Sequence, residues 1–206
     1  MREALRERVF RVAARAKTLV YHMFFAVYAV VILTLLVGSI ALVGDLPWSG
    51  QMYGLGVWSG RAAVTILAAV LVPGILGRFG IQIKVTRVIT FYRRQLGITT
   101  FLLAFTHGML VRWVARIALG QYPLSAAPLF EFFGTFALSL LFFLFVTSND
   151  TSVKRLGPWW KRLHRTVYII VWLVLFHTLL QRVSVWSALI GVVAVLEVVS
   201  LLYSRI

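Results

Sequence analysis

Six long apolar runs divide the chain, each bounded by clustered charge or by Gly, Pro and Trp. They fall at roughly 19–44, 59–77, 95–115, 128–148, 163–181 and 184–203. A helix needs about 20 apolar residues to cross the core of a bilayer, and each run comes close to that. The pattern predicts an all-α integral membrane protein, a six-transmembrane-helix bundle occupying residues 19–206. The link between the fifth and sixth runs is so short that they form a tight antiparallel pair. Residues 1–18 open "MREALRERVFRVAARAK" and read as a basic amphipathic helix lying on the membrane surface. The run that follows is too long for a signal-peptide core, and no small-residue cleavage site ends it. It is expected to be a retained first span.

Composition supports this reading. Of 206 residues, 61% are hydrophobic, where soluble domains run nearer half. That length accommodates one bundle and no separate soluble catalytic domain. The net charge is +15, from 21 basic and 6 acidic residues. The basic residues cluster between apolar runs rather than along one face, so no nucleic-acid partner is expected. Seventeen of the 21 fall on one side, in 1–18, 78–94, 154–165 and at Arg205. The other side holds Arg61, Arg112, Arg116 and Arg182. The positive-inside rule then puts both termini in the cytoplasm. The stretch "GDLPWSGQMYGLGVWSG", residues 44–60, is expected to be a loop at the outer interface. The chain has no cysteine, which excludes disulfides, thiolate-held zinc or iron–sulfur clusters and cysteine nucleophiles. No Gly-rich phosphate cradle and no Ser–His–Asp candidate appears, so neither hydrolysis nor nucleotide-driven transport is supported.

The four histidines carry the candidate chemistry. His107 lies about twelve residues into the third span, roughly 18 Å from its inner end. His177 lies about fourteen residues into the fifth, roughly 21 Å from the same side. Two imidazoles at one depth on two helices suit the axial ligation of a haem, whose apolar faces suit a helical core. The opposing reading is a pair of buried structural histidines. Polar groups inside a membrane are costly and mark function by default. His164 and His22 both fall near the inner end, where a histidine costs little. On a helical wheel His164 stands about 140° from His177, off its stripe. Arg93, fourteen residues before His107, occupies the place opposite His164.

Three stretches carry a family resemblance: "GRAAVTILAAVLVP" (60–73), "RRQLGITTFLLAFTH" (93–107) and "VTSNDTSVKRLGPWWKRLHRTVYIIVWLVLFH" (146–177). They resemble the MsrQ haem-binding membrane subunits of bacterial methionine-sulfoxide reductase systems, within the ferric-reductase-like transmembrane family. The combination R-R-x-L-G with a histidine thirteen beyond its second Arg, then L-G-x-x-W-x-x-L-H with another histidine thirteen on, gives the resemblance its specificity.

The resemblance implies a multi-pass protein of the bacterial inner membrane that carries electrons. It implies haem b, with His107 and His177 as axial ligands of an outer haem. His164 matches a further family histidine that serves an inner haem in relatives with four ligands. Arg93 in the partner position leaves one haem or two. Electrons would enter from a cytoplasmic NAD(P)H flavin reductase, from FMN bound to the subunit, or from a quinone in its quinol form. They would leave to a periplasmic molybdopterin methionine-sulfoxide reductase, on which the substrate chemistry would occur. Arg93 and Arg94 lie where a haem propionate, a flavin phosphate or a quinone would sit, and arginine suits bidentate oxyanion contact. Arg61 would pair with an outer propionate, or else snorkel to the interface. Lys161, Arg162 and Arg165 flank His164 and would meet a flavin phosphate or membrane lipid headgroups. Trp159 and Trp160 fit the inner aromatic belt. In "PLFEFFGTFAL", residues 128–138, an aromatic and a glycine of the family pattern persist, while Glu131 appears and the basic residue is absent. A salt bridge from Glu131 to Arg112 or Arg116 is expected there. Pro73 and Gly74 are expected to kink the second span. Two rival readings stand beside this one: a stand-alone ferric, metal or oxygen reductase, and a non-redox permease or scaffold.

Overall fold

The structure is a computed structural model that describes residues 2–114, 116 and 127–204, with side chains from residue 17 onward. In chain order it contains α1 (Arg2–Val43), α2 (Ser49–Arg78), α3 (Lys84–Phe91) and α4 (Arg93–Gly108). A π-helical turn, Met109–Trp113, prolongs α4. Then come α5 (Leu129–Val146), α6 (Asp150–Leu156), α7 (Pro158–His164), α8 (Val167–Gln181) and α9 (Val185–Tyr203). Six segments are long and apolar enough to span a bilayer: Lys17–Val43, Ser49–Arg78, Arg93–Trp113, Leu129–Val146, Pro158–Gln181 and Val185–Tyr203. The described residues therefore form an all-helical, multi-pass membrane protein.

The local chemistry explains several boundaries. Gly157 adopts φ +51° between α6 and α7, a conformation that a side chain disfavours, and Pro158 then opens α7 with its φ already set. Asn149 caps α6 by accepting from the Ser152 amide at 2.8 Å. Ser184 caps α9 by accepting from the Ser187 amide at 3.3 Å.

The sequence expectations differ from the structure in three places. The backbone runs as one helix from Arg2 to Val43, with no break after residue 18; the amphipathic faces of that segment lie outside the described side chains. Residues 49–58, expected in an interfacial loop, form the first turns of α2. Their glycines are poor helix formers in water but permit close packing between helices in a membrane. Gly56 packs so tightly on Leu110 that an added Cβ would stand 2.9 Å from its Cβ. In the expected fifth span, a tight turn at Arg165 and Thr166 separates α7 from α8. α2 runs on through Pro73 to Arg78, so the proline lies inside one continuous helix.

Packing divides the bundle into helix pairs. α4 lies chiefly on α2, α5 chiefly on α8, and α9 bridges α2 and α8. The buried core lies where they converge, around Leu71, Phe101, Ile170, Val171 and Ile190. Large apolar side chains such as Leu33 and Ile40 of α1 and Val192 of α9 point outward. That is the inverse of a water-soluble protein and the expected arrangement where lipid is the solvent.

Candidate functional site

The core does not fill the bundle. Toward the end that carries Arg112 and Arg182, a cavity of about 1120 Å³ opens between α2, α4, α5 and α8. This exceeds the roughly 300–1,000 Å³ of ordinary small-molecule sites. Its walls are largely apolar and include the small residues Gly60, Ala63, Ala104, Gly134 and Ala137.

His107 of α4 and His177 of α8 both line this cavity. Their ring centroids stand 6.3 Å apart, with the planes inclined at 77°. Each ring is fixed through Nδ1. His107 Nδ1 lies 3.0 Å from the carbonyl oxygen of Gly56 on α2. His177 Nδ1 lies 2.8 Å from the carbonyl oxygen of Phe130 on α5. A carbonyl oxygen only accepts, so Nδ1 carries the hydrogen in both rings. Nε2 is then the lone-pair nitrogen, on the edge of the ring away from the anchoring carbonyl.

Glu131 sits one position beyond Phe130 and is buried. Its carboxylate accepts from Arg116 and lies 3.2 Å from Arg112 Nε, so it engages both expected partners. Arg112 also stands over the Phe130 ring, at 5.2 Å. Arg61 was expected at the start of the second span. It lies well inside α2, lines the cavity and stacks its guanidinium 4.6 Å from the Trp58 ring. Arg182 completes a basic rim.

The remaining candidates lie elsewhere. His164 Nε2 is 3.1 Å from the Thr147 hydroxyl. Its ring stacks on Trp160 with centroids 4.0 Å apart, and Trp160 Nε1 donates to the Thr147 carbonyl at 2.9 Å. Arg93 opens α4, next to the Arg94 that reaches α6. Arg94 donates to Asp150 at 2.7 Å, at the first turn of α6. This lowers the Asp150 carboxyl below its ordinary range, through the hydrogen bond first and the charge second. His22 is exposed, with Nδ1 bonded to the Thr18 carbonyl. Arg162 lies over the exposed Trp159 ring.

One cluster was not anticipated. Arg78 donates to Glu197 at 2.7 Å, to the Ser200 hydroxyl at 2.9 Å and to the Tyr168 hydroxyl at 2.8 Å. Glu197 and Ser200 are fully enclosed. The available signal was an acid inside the sixth apolar run with an arginine at the end of the second.

Among the described residues no group of three or more His, Cys, Asp or Glu side chains gathers to hold a metal ion. Two imidazoles lining one apolar cavity with a cationic rim suit a metal that arrives with its own equatorial ligands.

This is a multi-pass helical bundle with two backbone-anchored imidazoles facing one cavity. The family model described as the ferric reductase like transmembrane component matches residues 59–176, and the chain belongs to that family. It is 32% identical over 120 residues to the protein-methionine-sulfoxide reductase heme-binding subunit MsrQ of Rhizobium meliloti (strain 1021). That match covers 56% of this chain and 50% of the relative. It is 31% identical over 126 residues to the protein of the same name from Pectobacterium carotovorum subsp. carotovorum (strain PC1), covering 59% of this chain and 61% of the relative. The matches thus span between half and about three-fifths of these relatives' own lengths. No solved structure matches the chain.

Proposed function

We propose that the protein is the haem b-binding, electron-transferring membrane subunit of a methionine-sulfoxide reductase system. The observation that carries this is the pairing of His107 and His177 across one cavity, each with Nδ1 donating to a backbone carbonyl. Ligating histidines are commonly held in this way, because the second hydrogen bond fixes the tautomer and raises the basicity of the ligating nitrogen. The spacing also fits. A metal held at about 2 Å from each imidazole nitrogen, as is usual, separates the ring centroids by about 6.4 Å. The observed separation is 6.3 Å.

His107 and His177 would supply the axial nitrogens, and the small residues between them would leave room for the macrocycle. Arg61, Arg112 and Arg182 at the rim would meet its propionates. When bound, haem would supply a one-electron store within the bilayer. The chain's own contribution is to hold the imidazoles, exclude water through the packed helices and set the charge at the rim.

The basic excess supports an orientation with the Arg93 and His164 end in the cytoplasm and the cavity toward the periplasm. Electrons would come from a cytoplasmic NAD(P)H flavin reductase, with FMN, or from quinol. The acceptor would be a periplasmic methionine-sulfoxide reductase subunit with molybdopterin, and the membrane the bacterial inner membrane. The names of the relatives support this choice of partner. One haem is the better supported number, because His164 Nε2 already faces the Thr147 hydroxyl.

Protein purified from haem-replete cells should show a Soret band that shifts on reduction by dithionite. His107→Ala and His177→Ala should abolish it, and His164→Ala should retain it. Colourless wild-type protein would end this reading.

A further inference from the structure

The two imidazole anchors share a detail that the function so far does not use. The carbonyl that His107 meets belongs to Gly56, four residues before Gly60 on α2. The carbonyl that His177 meets belongs to Phe130, four residues before Gly134 on α5. In an α-helix such a carbonyl already accepts from the amide four residues on, here Gly60 and Gly134. Each imidazole therefore shares a helical carbonyl, and to reach it the ring must lie flat against the turn that the glycine closes.

A side chain would block that approach at both places. A Cβ on Gly60 would stand 2.6 Å from His107 Nδ1, and one on Gly134 would stand 2.6 Å from His177 Nδ1. Neither distance is compatible with an unmoved ring. Two separate helix pairs thus use the same device, a notch at one helical turn. With both notches occupied, the imidazole planes cross at 77°.

We propose that Gly60 and Gly134 are the positioning residues of the site, and that together they hold the two axial imidazoles in a crossed arrangement. This rests on the haem reading above and extends it to the electronic state of the iron. The filled π orbital of an imidazole stands perpendicular to its ring and raises one of two iron d orbitals. Parallel rings raise the same orbital and split the two. Crossed rings raise one each and leave them nearly equal in energy. Oxidised low-spin iron between crossed rings then gives one strongly anisotropic low-field resonance, whereas parallel rings give a resolved three-line rhombic spectrum.

The test is electron paramagnetic resonance of the oxidised, haem-loaded full chain, with haem per chain measured by pyridine haemochrome on the same sample. Wild type should give the low-field signal of crossed ligands. Gly60→Ala and Gly134→Ala should each retain haem, lose that signal to a rhombic or high-spin one, and raise the midpoint potential. The potential rises because a ring pushed off its carbonyl is a weaker donor to the oxidised metal. Gly54→Ala is the control: it lies on the same helix, and its added Cβ meets nothing within 4 Å. It should match wild type in signal and potential. A rhombic spectrum from fully loaded wild type overturns the proposal while leaving the haem reading intact. So do alanine variants whose signal and potential match wild type. If neither alanine variant assembles while Gly54→Ala does, the loss belongs to the notch positions and the wild-type spectrum decides the crossing; if Gly54→Ala fails as well, the notches hold no special place and the proposal is overturned. Wild type that holds no haem overturns both, and is recognised by the empty haemochrome assay.

Discussion

Arg78, the last residue of α2, donates to the buried carboxylate of Glu197 on α9 at 2.7 Å, across 119 positions of chain. The side chains are 18% and 4% exposed, so this pair is largely removed from solvent. Ser200 and Tyr168 share the same guanidinium. One arginine therefore fastens α2, α8 and α9 together at a single point.

Removing one partner of such a pair leaves the other buried and uncompensated, which costs about 3–5 kcal/mol. Arg78→Ala and Glu197→Ala should each lower the resistance of the bundle to denaturing detergent or heat. An apolar double replacement, Arg78→Met with Glu197→Leu, should be closer to wild type than either single change. Unfolding followed by tryptophan fluorescence in detergent reads the difference.

Glu131 offsets Arg112 and Arg116 beside the cavity. Glu131→Gln removes that negative charge and leaves the cationic rim stronger. If haem occupies the cavity, its reduced form gains most, so the midpoint potential should rise. Potentiometric titration checks this, and the difference should shrink at high salt where the rim is exposed.

Asp150 gives a pH prediction. Arg94 holds its carboxyl below the ordinary carboxylate range. A group whose folded value is depressed contributes above its unfolded value and loses the contribution as pH falls through the folded one. The Arg94–Asp150 contact should therefore persist through neutral pH and weaken only in acid. Because Asp150 is exposed, salt should weaken it too. Carboxyl carbon NMR of Asp150 should show the titration moving upward in Arg94→Gln.

Leu110 is fully buried in the π-helical turn, against Gly38 of α1 and Gly56 of α2. Leu110→Ala should destabilise through the cavity it leaves, by about 2–5 kcal/mol at most, since lipid removes part of the transfer term. A Cβ on Gly38 would stand 2.9 Å from the Leu110 side chain. Gly38→Ala should therefore recover part of the loss when combined with Leu110→Ala, and do harm alone. Detergent unfolding of the four proteins closes the cycle.

The spans and the His107–His177 pair were legible because they depend on helix rise and apolar length, both local properties. Placing the histidines at one depth required only 1.5 Å per residue. What each ring would bond to was not legible. A backbone carbonyl has no signature in sequence, and the glycines of α2 read more readily as loop than as a packing surface. The glycine of "PLFEFFGTFAL" was visible, but its purpose lay in the position of α8. Arg78 reads as loop charge in the sequence because its partner, Glu197, lies in the final span. The wheel did separate His164 from His177, and the structure gives the reason: His164 turns to Thr147 and Trp160.

Each imidazole takes its carbonyl anchor from its own part of the chain, residues 56–107 for one and 130–177 for the other. The residues of the first anchor are therefore all synthesised before those of the second. Neither anchoring hydrogen bond crosses from one half to the other. A ligand that joins the two imidazoles would then act as the closing rivet of the assembly, and its arrival would report that both halves have been built.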